Sequence, residues 1–142
     1  MINKKTLIGC AAGGVTYFLL GWLIYGILLK DFYASQTTVS GFEKNPPDFL
    51  FLIIGNLSSA LLMAIILGNW LKVNSVAEGF KAALLIGCLL GIGFDSVMYA
   101  TTNMMTLSGV ITDILVTTIM TGIGGAVITA AMGMKEKVAV AA

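Results

Sequence analysis

One carboxylate lies deep inside a long apolar stretch of the sequence. Asp95 interrupts a run that begins after Lys81 and continues to about Thr102. A carboxylate buried in a membrane at such depth costs several kcal/mol unless it is protonated, paired or hydrated, and such residues usually mark ion pathways or proton relays. The sequence places no lysine at a similar depth. We therefore predict that Asp95 has a functional role.

Two stripes of small and polar residues recur at intervals of four, which places the members of each stripe on one face of a helix. The first consists of Gly87, Gly91, Asp95 and Tyr99, and the second of Asp113, Thr117, Thr121, Gly125 and Thr129. Only a short turn separates the two helices, so they are expected to be antiparallel neighbours. Their polar residues would then converge near that turn as a ligand or ion pathway formed by Asp95, Tyr99, Asn103, Asp113 and Thr117, with Asn56 contributed by another helix.

A structural interpretation of the same residues remains open. Ser, Thr and Asn side chains hydrogen-bond between membrane helices for about 0.6–2 kcal/mol and need no other role. The threonine stripe is well suited to such packing, and Asp113 lies near enough to the interface to be solvated. Small residues at intervals of four also allow helices to approach closely, and we expect this of Gly9, Gly13, Gly87, Gly91 and Gly125.

The composition requires a membrane. Hydrophobic residues make up 58% of the 142 residues and charged residues 11%, whereas a soluble domain carries about 25% charged residues. All eight cations are lysines, too scattered to form a nucleic-acid-binding face. The chain has no histidine, and Cys10 and Cys88 lie within apolar runs. We therefore predict no metal site and no cofactor, with the lipid bilayer as the main partner.

Four apolar blocks are each long enough to cross a bilayer, which takes about 20 helical residues. They cover residues 6–29, 49–71, 82–102 and 110–134, so we predict an all-α protein with a single four-helix transmembrane domain over residues 1–142. The first block is too long for a secretory signal peptide. The lipobox-like sequence ending at Cys10 has too few apolar residues before it.

The lysines predict the orientation. The segments assigned to the cytoplasmic side hold Lys4, Lys5, Lys72, Lys81, Lys135 and Lys137, and the opposite side holds Lys30 and Lys44. Lysine enrichment on the cytoplasmic side is the usual rule. Both termini should therefore be cytoplasmic, in a bacterial inner membrane, with residues 30–48 as an external loop that could cap a cavity. Aromatic belts agree, with Tyr25, Phe32, Tyr33, Phe49 and Phe51 outside and Trp70 and Phe80 inside.

The turn before the last helix carries a resemblance to a known family. The segment from Tyr99 to Leu107, with Thr102, Asn103 and Thr106 at fixed spacing and followed by Asp113, resembles small four-helix bacterial membrane proteins classed as a domain of unknown function. This chain has Ala100 where those proteins usually have aspartate, and Val116-Thr117 where they often have Trp-Gly. The resemblance implies the topology and no activity.

Three functions are compatible with these observations. The first is a carrier or channel subunit for a small solute or ion with a polar outer cavity, assembled as a homo-oligomer because four helices enclose no wide pore. The second is a non-transporting scaffold, lipid-binding or accessory subunit. A membrane enzyme is the third, and it is the weakest because the sequence shows no nucleophile–base pair and no metal-ligand set.

Overall fold

The chain folds as a bundle of long helices. A computed structural model describes residues 2–133, and within them lie five α-helices: α1 Lys4–Leu23, α2 Lys30–Gln36, α3 Phe49–Ile65, α4 Val76–Thr101 and α5 Leu107–Ala131. α1 and α3 each continue into one π-helical turn, Ile24–Leu28 and Ile66–Trp70. Four of the described helices are long and apolar enough to span a membrane. The predicted all-α fold with four candidate spans is confirmed, and the chain is a multi-pass membrane protein.

Side-chain caps determine where the spanning helices begin. Each starts after a polar residue whose side chain accepts a hydrogen bond from a backbone N–H in the first turn, which satisfies a donor that has no partner within the helix. These N-caps are Asn3, Asp48, Ser75 and Thr106. α4 therefore begins at Val76, ahead of the predicted span start at residue 82, and carries Glu78 and Lys81 in its first turns. Met134 and the lysines beyond it lie outside the described residues.

The helices pack in two closely associated pairs. α4 lies against α5, and α1 lies against both α3 and α5. The buried core combines small side chains, namely Ala60, Ala64, Val73 and Ala83, with five larger ones, namely Tyr17, Met63, Leu67, Ile128 and Met132. Many other large apolar side chains point outward, as expected of a lipid-facing surface. We define the outer end of the bundle as the end with the α4–α5 turn, following the predicted orientation.

Candidate functional site

The contact between α4 and α5 brings the two sequence stripes face to face. A Cβ atom added at Gly87 would lie 2.5 Å from Thr121 Cβ, one added at Gly125 would collide with Ala83 Cβ, and one added at Gly79 would collide with Thr129 Oγ1. Each step of four residues along α4 is thus matched by four residues in the opposite direction along α5. Two further steps from Gly87 bring this register to Asp95 on α4 and Asp113 on α5.

The two aspartates form a carboxyl pair. The Asp95 side chain is within hydrogen-bonding and charge-interaction range of the Asp113 side chain. Asp95 is only 9% exposed, and its Oδ2 atom is fully buried with no hydrogen-bond partner among residues 2–133. A buried polar atom without a partner costs free energy unless a group absent from the protein atoms satisfies it. Among the described residues the Tyr17 hydroxyl is also buried without a partner, so Asp95 is the one carboxyl in this condition.

Two tyrosines hold the other member of the pair. The Tyr25 hydroxyl donates to Asp113 Oδ1 at 2.8 Å, and the Tyr33 hydroxyl donates to the same oxygen at 2.9 Å. Their ring centroids are 5.1 Å apart. The Thr117 side chain, one turn along α5 from Asp113, lies near the Tyr25 hydroxyl. Hydrogen bonds to a carboxylate are among the stronger ones in proteins, so Asp113 is fixed in place from two directions.

A π-helical turn and a short helix position the two tyrosines. Tyr25 lies in the π-helical turn that ends the first span, and such turns often occur at functional sites. Tyr33 lies on the short helix α2 and is only 6% exposed. Both hydroxyls therefore bond to Asp113, a contact that the sequence-based assignment of Tyr25 and Tyr33 to an outer aromatic belt did not include.

The segment after α2 is bound to the α4–α5 turn. The Thr38 N–H donates to the Met104 carbonyl at 3.1 Å, and the Thr106 N–H donates to the Gln36 carbonyl at 3.0 Å. The Thr38 hydroxyl also donates to the Asn103 carbonyl, and the Thr106 hydroxyl donates to the Gln36 side chain. This outer bridge, formed by residues 36–38 and 103–106, holds α2 in place over the end of the bundle.

The environment of Tyr33 keeps its hydroxyl protonated. Burial raises the pKa of Tyr33 above its ordinary value, and the neighbouring Tyr25 and the Asp113 carboxylate raise it further. All three effects disfavour a phenolate at this position. Tyr33 is therefore a hydrogen-bond donor to Asp113 across the physiological pH range.

An open pocket lies immediately outside the carboxyl pair. Its volume is about 460 Å³, and it is lined by Thr38, Tyr99, Thr102, Asn103, Met105, Thr106 and Leu107. Tyr99 is one helical turn from Asp95 along α4, so the pocket and the pair occupy consecutive levels of the same end of the bundle. Part of the pocket wall comes from the outer bridge.

The residues predicted for the pathway separate into three groups. Asp95, Asp113 and Thr117 come together in the carboxyl cluster, and Tyr99 and Asn103 line the pocket instead. Asn56 joins neither, because its amide donates to the Leu52 carbonyl of its own helix at 2.7 Å, on an α3 that packs mainly against α1.

Sequence reasoning missed Tyr25 and Tyr33 as parts of the cluster. Both lie more than 75 residues from Asp113 in the sequence, and their position near a membrane boundary is also typical of belt residues. A phenol hydroxyl that is buried usually has a hydrogen-bond partner. The sequence carries no direct sign of that burial.

The five glycines predicted to lie at helix contacts are all buried. A Cβ atom at Gly9 would lie 2.8 Å from Met132 Cγ, and one at Gly13 would lie 2.5 Å from Ile128 Cγ1. The described residues bring together no group of three or more Asp, Glu, Cys or His side chains. Their cysteines, Cys10 and Cys88, are free thiols.

Comparison with known proteins identifies the family. The profile of the family described as Protein of unknown function (DUF1761) matches residues 8–134. The chain belongs to the DUF1761 family. The resemblance to a domain of unknown function is thereby confirmed, and the DUF1761 match runs from within α1 past the end of α5. Searches of curated proteins and of solved structures found no significant match. What the DUF1761 site does must therefore be argued from its geometry.

Proposed function

We propose that this protein is a subunit of an oligomeric carrier or channel for a small solute or ion. The single observation that carries the proposal is the Asp95–Asp113 pair, in which Asp95 is buried and an open pocket lined largely by polar residues begins one helical turn further along α4, at Tyr99. Two carboxyls without a facing cation cost several kcal/mol in an apolar bundle. A protein that needed only helix packing could fill these positions with small apolar residues at lower cost.

The arrangement of the pocket and the pair fits entry from the outer side. A solute in the pocket would meet Tyr99 and Asn103 first, and the carboxyl pair would lie one helical turn deeper. Negative charge focused in a low-dielectric site raises the local concentration of cations. The proposed substrate class is therefore a small cation or a polar solute that moves together with one.

The assembly and orientation are part of the same proposal. The contact surface between α4 and α5, called the α4–α5 seam, is closed on the inner side of the pair by contacts such as Gly87 with Thr121 and Gly125 with Ala83. A route across the membrane would therefore have to form between copies of the chain. We therefore propose a homo-oligomer in the bacterial inner membrane with both termini cytoplasmic.

Cysteines placed at Ser40 and Asn74 in a chain lacking Cys10 and Cys88 should react oppositely with an impermeant thiol reagent in intact cells. Equal labelling at both positions would contradict the orientation.

Flux measurements test the transport function. Purified protein in liposomes should support the flux of at least one small ion or solute, and Asp95→Asn should abolish that flux while leaving assembly unchanged. Asp48→Asn is the matched control, because Asp48 is exposed and asparagine also caps helices well. Flux that survives Asp95→Asn would remove the pair from the pathway.

A second candidate function is favoured by the inner half of the bundle. There the Thr121 and Thr129 hydroxyls donate to the carbonyls of Thr117 and Gly125 on their own helix, each at 2.7 Å. They are satisfied locally, as expected of a closed packing seam. A non-transporting scaffold, lipid-binding or accessory subunit would have such a seam. Wild-type protein that conducts none of a broad panel of ions and solutes would favour this function.

A further inference from the structure

The carboxyl pair lacks a positive charge that its geometry requires. Asp95 and Asp113 face each other across the α4–α5 seam, and both carboxylates would be acceptors without a donor between them. Asp95 Oδ2 is buried and has no partner among residues 2–133. Two neighbouring carboxyls that are both ionised repel one another strongly in a low-dielectric interior. A proton on one carboxyl, or a metal ion bound between the two, would relieve this repulsion.

The two carboxyls of the pair are not equivalent in their surroundings. Asp113 already receives two hydrogen bonds, from Tyr25 on the π turn and from Tyr33 on α2. Hydrogen bonds donated to a carboxylate favour its ionised form. Asp95 receives none at its buried oxygen. Asp113 is therefore the member of the pair that is already supplied with donors, and Asp95 is the member that still lacks one.

A proton fits this site better than a metal ion does. Alkali and alkaline-earth cations take about six or more oxygen ligands, usually including waters. The polar side chains that face the pair are Tyr25 from the first span, Tyr33 from α2, and Thr117 from α5, and both tyrosine hydroxyl protons are already directed at Asp113. A shared proton needs no additional ligands and supplies the missing donor to the unpartnered oxygen.

We propose that Asp95 and Asp113 form a binding site for one proton, with Asp95 as the carboxylic acid and Asp113 as the carboxylate that accepts its hydrogen bond. Binding transfers a proton from water to an Asp95 carboxylate oxygen, and release returns the same proton to water and leaves two carboxylates. The coupling of this proton to solute movement rests on the proposed transport function, whereas the proton site itself does not.

Infrared spectroscopy of the full-length protein in lipid tests the site. A protonated buried carboxyl gives a C=O stretching band separate from that of carboxylates. Wild-type protein at neutral pH should show one such band per chain. The band should disappear in Asp95→Asn, because Asp113 keeps its two hydroxyl donors and stays ionised. It should persist in Asp113→Asn, because Asp95 then remains an isolated buried acid. Asp48→Asn, at the exposed N-cap, should leave the band unchanged.

Other results would overturn the proposal. The absence of a protonated-carboxyl band in the wild type would exclude the shared proton. A band that appears only when sodium and potassium are replaced by choline would show that a metal cation occupies the pair. A band lost in Asp113→Asn but kept in Asp95→Asn would reverse the assignment of the proton. If the band is present and liposomes show no flux, the proton site stands and the transport function fails. Flux without the band would support transport and exclude the proton site.

Discussion

The α4–α5 seam has two halves that share one register and differ in chemistry. In the inner half, glycine and alanine on α4 meet threonine and glycine on α5, and the threonine hydroxyls bond within their own helix. In the outer half, the same register brings together two carboxyls, and side chains from two other elements complete their hydrogen bonding. The contacts of the inner half come from α4 and α5 alone, whereas those of the outer half also depend on the π-helical turn after α1 and on α2.

This difference shows how a close-packed seam can position reactive groups. Small residues let the two backbones approach, and each contact is a dispersion contact of modest energy that is repeated along the helix. The rigid register that results places Asp95 opposite Asp113, so their positions do not depend on an interaction between the two carboxyls. Favourable packing in the inner half can therefore offset the cost of holding two acids together in the outer half.

The largest effect on stability should come from breaking the inner half. In Gly125→Ala the new Cβ would collide with Ala83 Cβ and lie 2.9 Å from the Gly79 carbonyl oxygen. Overpacking of this kind costs about 1–3 kcal/mol. Gly93→Ala is the control, because nothing lies within 4 Å of a Cβ there. Thermal unfolding in detergent should show a clear loss for Gly125→Ala only, and equal melting temperatures would refute the close seam.

A somewhat smaller effect is expected in the outer half from Tyr33→Phe. The substitution removes one of two hydroxyl donors to Asp113 and keeps the buried ring. We expect a loss of about 1–2 kcal/mol, since the lost bond goes to a charged group but lies in a membrane protein. Chemical unfolding measures it, with Tyr99→Phe as the matched control, because Tyr99 is 47% exposed and its hydroxyl does not bond Asp113. A neutral Tyr33→Phe would mean that the tyrosine does not hold the pair.

Alkaline pH should also destabilise the outer half, because it removes the proton that the Tyr33 hydroxyl donates to Asp113. The pKa of Tyr33 is raised in the folded protein by burial and by its neighbours. Its stabilising contribution is therefore fully present below the ordinary tyrosine pKa of about 10 and is lost as the pH rises through the higher folded value. Wild-type stability should decline above that pH, and the decline should be shallower in Tyr33→Phe. Parallel pH profiles for the two proteins would contradict this origin.

The smallest effect should come from Thr121→Val in the inner half. The Thr121 hydroxyl donates to the Thr117 carbonyl of its own helix, so valine keeps the shape and removes only a local hydrogen bond. Such bonds add little to helix stability, and we expect a change below about 1 kcal/mol. A loss as large as that of Gly125→Ala would show that the hydroxyl bonds across the seam in the membrane.

Much of the seam could be predicted from the sequence, because four-residue spacing fixes a helix face and a short turn fixes antiparallel neighbours. These two facts bring Asp95, Asp113 and Thr117 together without further information. Tyr25 and Tyr33 could not be predicted in the same way. Their positions depend on a π-helical turn and on a seven-residue helix held by the outer bridge, and neither has a periodic signature.

The misplacement of Asn56 has a related cause. Depth in the membrane can be read from the sequence, and Asn56 does lie on a spanning helix. The identity of the neighbouring helix cannot be read in this way when a long loop precedes it. In the fold α3 packs mainly against α1, so an equal depth does not bring Asn56 to the pair.

A double-mutant cycle on the two aspartates tests the central claim most directly. The free energy of unfolding in detergent would be measured for the wild type, Asp95→Asn, Asp113→Asn and the double variant. If the carboxyls share a hydrogen bond, the effects should be non-additive by at least about 0.5 kcal/mol, as is typical of residues in contact. Asp95→Asn combined with the exposed Asp48→Asn should be additive. Additivity for Asp95 with Asp113, within about 0.3–0.5 kcal/mol, would show that the two acids do not form a pair.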